Sequence, residues 1–145
     1  MSLSDMVRDR LRAQLVPATL KMVQGAAEWS GLTTPPPAAR TPCAYVLPAS
    51  FEPGPNGLAG GAVRQLVQQT VAVMIVVSSL RDARGEAAVQ ALEPVFLAIV
   101  TALHGWKPST ADTALLLGAG ELLDASGGLV VWQQQFTSER LFSKV

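Results

Sequence analysis

The stretch that decides the fold runs from Val63 to Ser79, VRQLVQQTVAVMIVVSS, and it changes character halfway. The first half alternates polar and apolar residues, whereas from Val71 onward Val71, Val73, Met74, Ile75, Val76 and Val77 make the run almost continuously apolar. Alternation marks a strand with one wet face, and a continuous β-branched run marks one covered on both faces. This reads as one long strand that leaves the body at its start and lies centrally in a sheet toward its end. At roughly 3.3 Å per residue it spans on the order of 55 Å, more than the width of a domain this size, so part of it projects or bends. A projecting strand exposes backbone donors and acceptors, and pairing with a neighbouring subunit is one way to satisfy them.

Working outward, the preceding segment Cys43-Ala44-Tyr45-Val46-Leu47-Pro48 reads as a short strand over Ala44 to Leu47. Between the two strands, Pro48 to Ala62 holds Pro48, Pro53, Pro55, Gly54, Gly57, Gly60 and Gly61, a density of breakers that predicts no regular element. Long loops in compact domains tend to carry function, so this loop is the first candidate contact element. Its glycines lack a following Lys-Ser or Lys-Thr, which argues against a phosphate cradle.

Downstream, Val89, Leu92, Phe96, Ile99 and Leu103 recur at spacings of three and four and predict a helix over about 85–104. Pro94 inside it is expected to kink it, and Gly105 suits the left-handed position after the last turn. Leu115 to Leu123 and Gly128 to Thr137 read as a closing hairpin joined through Asp124-Ala125-Ser126-Gly127, with Val130, Trp132 and Phe136 on one face of the last strand. At the N-terminus, Ser4 is a candidate cap for a helix over Asp5 to Gln14 that Pro17 stops. Thr19 to Gly31 fits neither period cleanly and is read as an irregular strand, and Thr33 to Pro42, with Pro35, Pro36, Pro37 and Pro42, as a polyproline connector. The expected fold is α+β. It is a single domain over 1–145 with a mixed, mainly antiparallel sheet of four to five strands and a long projecting β-hairpin. One face is packed by the main helix and the short N-terminal helix.

Composition narrows the function classes. Apolar residues make up 49% of the 145 and charged residues 15%, against about 25% in typical soluble domains, which predicts that part of the surface is hidden in an interface. Eleven basic and eleven acidic residues cancel, so no global field attracts nucleic acid, and no direct nucleic-acid recognition is expected. The lone Cys43 and the charged N-terminus suggest a reducing cytoplasm rather than secretion. The longest apolar run is far short of the roughly 18 residues that a membrane span needs, so no membrane partner is expected.

Candidate chemistry is sparse. His104, the single histidine, sits at a helix C-terminus where it reads as a capping residue, and Cys43 beside an apolar strand reads as a small buried hydrophobe. Asp82 and Glu86 favour the helix N-terminus more simply than they form an acid–base pair, and Ser126-Gly127-Gly128 is explained by a turn. No catalytic, cofactor-binding or metal site is expected, and an enzyme reading would need a cleft converging on His104, Cys43 and a carboxylate. Gln65, Gln68 and Gln69 with Gln133, Gln134 and Gln135 fall on two candidate neighbouring strands; a solvated sheet face and an interface both remain open. Arg81 and Arg84 around Asp82 read more simply as solvated loop charges than as partner contacts.

The ordering Val23-Gln24-Gly25-Ala26-Ala27-Glu28, Pro42-Cys43-Ala44-Tyr45-Val46-Leu47-Pro48, the Gly-rich loop, the long valine strand and Leu103-His104-Gly105-Trp106-Lys107-Pro108 resembles the tail terminator proteins of long-tailed bacteriophages and prophages. Gly118-Ala119-Gly120-Glu121-Leu122-Leu123 and Trp132-Gln133-Gln134-Gln135-Phe136-Thr137 extend the resemblance over nearly the whole chain. The resemblance implies a small α+β subunit of the virion, assembled in the host bacterial cytoplasm. It implies a homo-hexameric ring at the head-proximal end of the tail, contacting the tail tube protein and a head-completion or connector protein. Such a ring ends tube polymerisation and offers the head-joining surface. Phe51, Asn56, Leu58, Arg64, Arg81 and Arg84 are the expected partner contacts. A head–tail connector subunit and, from another class, a small-ligand-binding α+β domain with a pocket between main helix and sheet are the alternatives.

Overall fold

The structure is a computed structural model describing residues 2–34, 36–78, 86–126 and 128–144. Its core is a five-stranded sheet in which β1 (Met22–Gln24), β2 (Cys43–Pro53), β3 (Val63–Ser78), β4 (Leu116–Ser126) and β5 (Leu129–Lys144) take the order β1-β2-β3-β5-β4. Among the described residues, the β1–β2 pair is parallel and the other pairs are antiparallel. Three helices, α1 (Leu3–Leu15), α2 (Ala26–Ser30) and α3 (Glu86–Leu103), complete the domain.

The long strand behaves as its sequence predicts. β3 pairs with β2 from Val67 to Val76 and with β5 along its entire length, Val63 opposite Lys144 and Ser78 opposite Leu129. Val71 to Val77 are buried without a break because both faces are covered. On one face Val71, Val73, Ile75 and Val77 join Ala44, Val46, Val130 and Phe136 under α1 and α3, which contribute Leu3, Val7, Leu11, Ile99 and Leu103. On the other, Ala72, Met74 and Val76 pack with Cys43, Tyr45 and Val131 beneath Trp29 of α2, whose ring lies 5.2 Å from that of Tyr45. Ser79, expected to end the strand, and Gly85, expected to begin the main helix, lie outside the described residues.

Several boundaries differ from the sequence reading. Thr19 to Gly31 is a three-residue strand followed by a five-residue helix, because Gly25 breaks the strand and its N–H is capped by the Glu28 carboxylate at 3.1 Å. Ser2, rather than Ser4, caps α1, its hydroxyl accepting from Asp5 N. The polyproline connector contains a single 3₁₀ turn, Ala38–Arg40. Most importantly, Pro48 does not end β2, which continues to Pro53. Its register slips by one residue between Pro48 and Ser50, a bulge that keeps Phe51 and Pro53 on the helix-bearing face. A proline is tolerated there because β1 extends only as far as Tyr45, leaving this part of β2 as a sheet edge. β5 likewise runs seven residues beyond the expected end at Thr137, so the projecting hairpin is broadened into a three-stranded arm.

Two glycines are required for different reasons, one by its backbone conformation and one by a close approach. Gly105 adopts φ 80° after α3, as expected, and α3 runs through Pro94. A Cβ on Gly120 would stand 2.7 Å from the Trp132 ring and collide with the Gln134 side-chain oxygen, so only glycine lets β4 cross these side chains.

A polar joint fastens the arm to the body. Asp112, in the connection after α3, has a side chain with no exposure and receives Arg140 Nε at 2.6 Å and Nη2 at 2.8 Å, while Ser109 donates to the same carboxylate at 2.8 Å. Alongside, Thr113 N donates to Glu139 O and Ser138 Oγ to Thr113 O. The Arg140 hydrogen bonds, opposed by burial, hold the Asp112 carboxyl below the usual carboxylate range. The depressed folded-state pKa means that this contribution is present above the unfolded value of about 3.9 and is lost as pH falls below it. Arg140→Met leaves a carboxylate buried without its partner and is expected to cost about 3 to 5 kcal/mol in chemical denaturation. Asp112→Asn should cost less, because the Arg140 side chain is 23% exposed and can rehydrate, and it should remove the joint's share of the stability loss below about pH 4.

Candidate functional site

Four of the six expected contact residues, Phe51, Asn56, Leu58 and Arg64, lie on the arm. Phe51, expected in a loop, stands on β2 with 59% of its surface exposed, and its ring meets Phe142 of β5 edge-on at 6.0 Å. The register places these two rings diagonally across β3, Phe51 opposite Gln69 and Phe142 opposite Gln65, with Val67 between them. They shield Val67, which is buried although its neighbours Leu66 and Gln68 are exposed. Phe142, Leu66 and Leu141 were not singled out from sequence; for Leu141 and Phe142 the polar run Ser138-Glu139-Arg140 breaks β5's alternation before it reaches them.

The connecting loop is short once β2 is extended. Asn56 organises it: its Oδ1 accepts from Arg64 N at 2.8 Å and Leu58 N at 3.3 Å, and its Nδ2 donates to Ala62 O at 3.2 Å. Gly54 N and Gly57 N donate to Leu66 O and Arg64 O, continuing the hairpin inward from the tip. Asn56 therefore shapes the tip, whereas Leu58 and Arg64 present exposed side chains. On the opposite sheet face, Leu66 and Leu141 form an exposed cross-strand pair. Arg81 and Arg84, with Asp82, lie outside the described residues.

The glutamines are distributed differently from the sequence reading. β3 and β5 are neighbours, but Gln65, Gln68 and Gln69 face Phe142, Glu139 and Ser138, while Gln133, Gln134 and Gln135 face Met74, Val73 and Ala72. They therefore do not form one polar patch. Gln134 is buried, accepting from Trp132 Nε1 and donating to Gly118 O, where it fills the gap left by irregular β4 pairing.

The clefts have little convergent chemistry. One of ≈ 380 Å³ lies between the start of α1, β2 and β3, where Arg140, its one charged lining residue, is already held by Asp112. Another of ≈ 340 Å³, lined by Trp29, Leu32, Pro36, Leu129 and Val131, has Asp124 as its titratable group. The space between α3 and the sheet, proposed for a ligand under the alternative reading, is filled by Val95, Ile99, Ala102 and Leu103. His104 is exposed at the end of α3, while Cys43 belongs to the cluster on the opposite sheet face, so no cleft brings them together. Among the described residues, no group of three or more His, Cys, Asp and Glu is placed to hold a metal ion, and no helix is long and apolar enough to cross a membrane.

Burial pushes the Cys43 thiol up to about 11. It is completely enclosed, so the folded protein is expected to resist alkylation by iodoacetamide at pH 8, with stoichiometric labelling appearing only in denaturant. Rapid labelling of the native protein would contradict the packing of this face.

Comparison with known proteins agrees with this geometry. No curated protein sequence matches the chain. A solved structure described as "Virion of native gene transfer agent (GTA) particle" contains a chain with the same fold, at a TM-score of 0.59 and 17% identity, over 97% of this chain and 96% of that one. The family model described as phage tail terminator protein matches residues 4–143. With that match spanning nearly the whole chain, the protein belongs to the phage tail terminator family.

Proposed function

We propose that this protein is a structural subunit that closes the head-proximal end of a phage-type tail tube as a ring, ending tube polymerisation and offering the surface to which the head joins. The family match over residues 4–143 carries the proposal. The structure supports it physically: a capping subunit needs surfaces rather than reacting groups, and this chain exposes Phe51, Leu58, Leu66, Leu141 and Phe142 on a braced arm. Capping itself makes no covalent bond. A subunit that binds the last tube ring more favourably than tube protein does will occupy that end and block the next addition.

Ring closure requires a heterologous interface, in which one patch of each subunit meets a different patch of the next. In this reading the arm tip, with Phe51, Leu58 and Arg64 presented on the frame that Asn56 holds, contacts the tube or the head-completion protein. Arg81 and Arg84 are proposed to extend the same contact. The protein acts in the virion after assembly in the host cytoplasm.

Negative-stain electron microscopy of the purified protein, alone and mixed with tail tubes, together with its solution mass by light scattering, tests the reading. Six-fold rings or caps at one tube end are expected. A monomer that ignores tubes at high concentration would refute it. Leu58→Ser combined with Arg64→Glu should reduce tube capping at least roughly tenfold while leaving the arm's packing intact, since both side chains are exposed and neither covers Val67.

A further inference from the structure

The two edges of the sheet differ in protection and in charge. Beyond Tyr45, β2 is an edge carrying Pro48, a bulge, Glu52 and Pro53, all features that discourage strand pairing. β4 forms the opposite edge, eleven residues long and without proline, although its own pairing to β5 shifts register between Leu117 and Gly120 and between Leu122 and Asp124. Leu116, Leu117, Leu122 and Leu123 are 45 to 59% exposed along it. Pairing places Leu117 and Leu122 on the helix-bearing face and Leu116 on the other, so the edge is apolar on both sides. Its charged residues are both acidic, Glu121 and Asp124, and among the described residues neither has a cationic partner.

The edge formed by β1 carries the opposite charge. Lys21 immediately precedes β1 and reaches Ala39 O at 3.1 Å, which sets it beside Arg40. Arg12 crosses from α1 to Val23 O and Gln24 Oε1. The carboxylates nearby are already used: Asp5 and Asp9 meet Arg8, and Glu28 caps α2. Among the described residues, Arg12, Lys21 and Arg40 make no ion pair.

Register connects the two edges. Asp124 lies opposite Val131, which faces Val76, then Cys43 and Met22; Glu121 leads by the same route through Gln133, Met74 and Tyr45 to Gln24. The acidic positions of β4 therefore sit at the level of β1, across the full width of the sheet and on the same face as Met22 and Gln24, the face that α2 covers, whereas Arg12 reaches β1 from α1 on the opposite face. Two β4 edges joined about a two-fold axis would set Glu121 and Asp124 against their own copies, which like-charge repulsion disfavours.

We infer that the β4 edge of one copy docks against the β1 edge of the next, with Glu121 and Asp124 facing Lys21 and Arg40. This rests on the ring reading above and assigns its subunit interface. Repetition of one such contact runs head to tail, and closes where the rotation between neighbours permits.

The test uses two charge-reversed full-length proteins, Glu121→Lys with Asp124→Lys, and Lys21→Glu with Arg40→Glu, in light scattering and electron microscopy. All four side chains are exposed, so circular dichroism and melting should match the parent. Each variant alone is expected to lose ring assembly, with association weakened at least roughly tenfold. An equimolar mixture should restore rings, because opposite edges then alternate in sign, and so should one chain carrying all four changes. Rings that persist in either variant, or a mixture of folded variants that fails to assemble, would overturn this interface while leaving the ring reading intact. Sensitivity to the β4 changes alone would indicate a β4–β4 contact and would also overturn it. A parent protein that never associates removes the ring reading and this inference together.

Discussion

The structure depends on a single strand being dry on both faces at one end and wet at the other. Within β3, Val71 to Val77 contribute odd-numbered residues to the core under α1 and α3 and even-numbered ones to the smaller core beneath Trp29. A one-residue slip would exchange the two sets, placing Met74 where Val73 and Ile75 meet the helices. Pairing to β5 over the whole of β3 makes such a slip expensive, because every cross-strand contact must shift at once. The two layers are consequences of this register. α1 and α3 need the valine and isoleucine stripe, and α2 needs Tyr45 and its neighbours, which β2 sets in place by pairing with the same strand.

The same strand explains how the arm remains ordered beyond the helices. Beyond Thr70, toward Val63, the arm extends past the core that α1 and α3 cover and depends on local devices. Phe51 and Phe142 close over Val67, and Asn56 satisfies backbone groups at the tip. At the base, the Asp112–Arg140 pair fastens the α3–β4 connection to β5. A buried ion pair is a poor source of net stability beside an apolar alternative, yet its bidentate geometry fixes orientation. That suits a joint whose task is to aim an arm.

Legibility in the sequence followed periodicity. The change at Val71, the stripe Leu92, Phe96, Ile99 and Leu103, and the position of Gly105 are local signals, and each appears in the structure. What periodicity does not encode was missed. β2 continues through Pro48 because the strand lies at an edge there, and edge position is a property of the whole sheet. β5 reads as ending at Thr137 because Ser138, Glu139 and Arg140 are polar; two of them face the joint with Asp112 and Thr113, residues more than twenty positions earlier. The glutamines shared strands but not levels, and levels depend on register. At the site, Phe51, Leu58 and Arg64 were visible as unusual side chains near breakers, whereas Phe142 could be found only by knowing that β5 runs to Lys144.

The low charge of the chain takes on meaning from where its apolar surface lies. Leu66 and Leu141 on the arm and Leu116, Leu117, Leu122 and Leu123 along β4 are roughly half exposed. Burying a fully exposed side chain of this kind is worth about 1.5 to 3 kcal/mol; with about half of that left to gain at each, covering these six still offers a gross gain comparable to the stability of a marginal small domain. Association must first overcome lost translational freedom and the ordering of whatever is mobile at the contact. These leucines are carried on paired strands whose backbone is already fixed, so the second of those costs is small. An apolar surface prepared in this way would aggregate without discrimination if nothing restricted its partners. Sparse charge supplies the restriction: a single Glu or Asp among leucines costs little against a complementary neighbour and much against a copy of itself. In the proposed edge contact, few charges placed at edges would direct association where many charges spread over the surface would only oppose it.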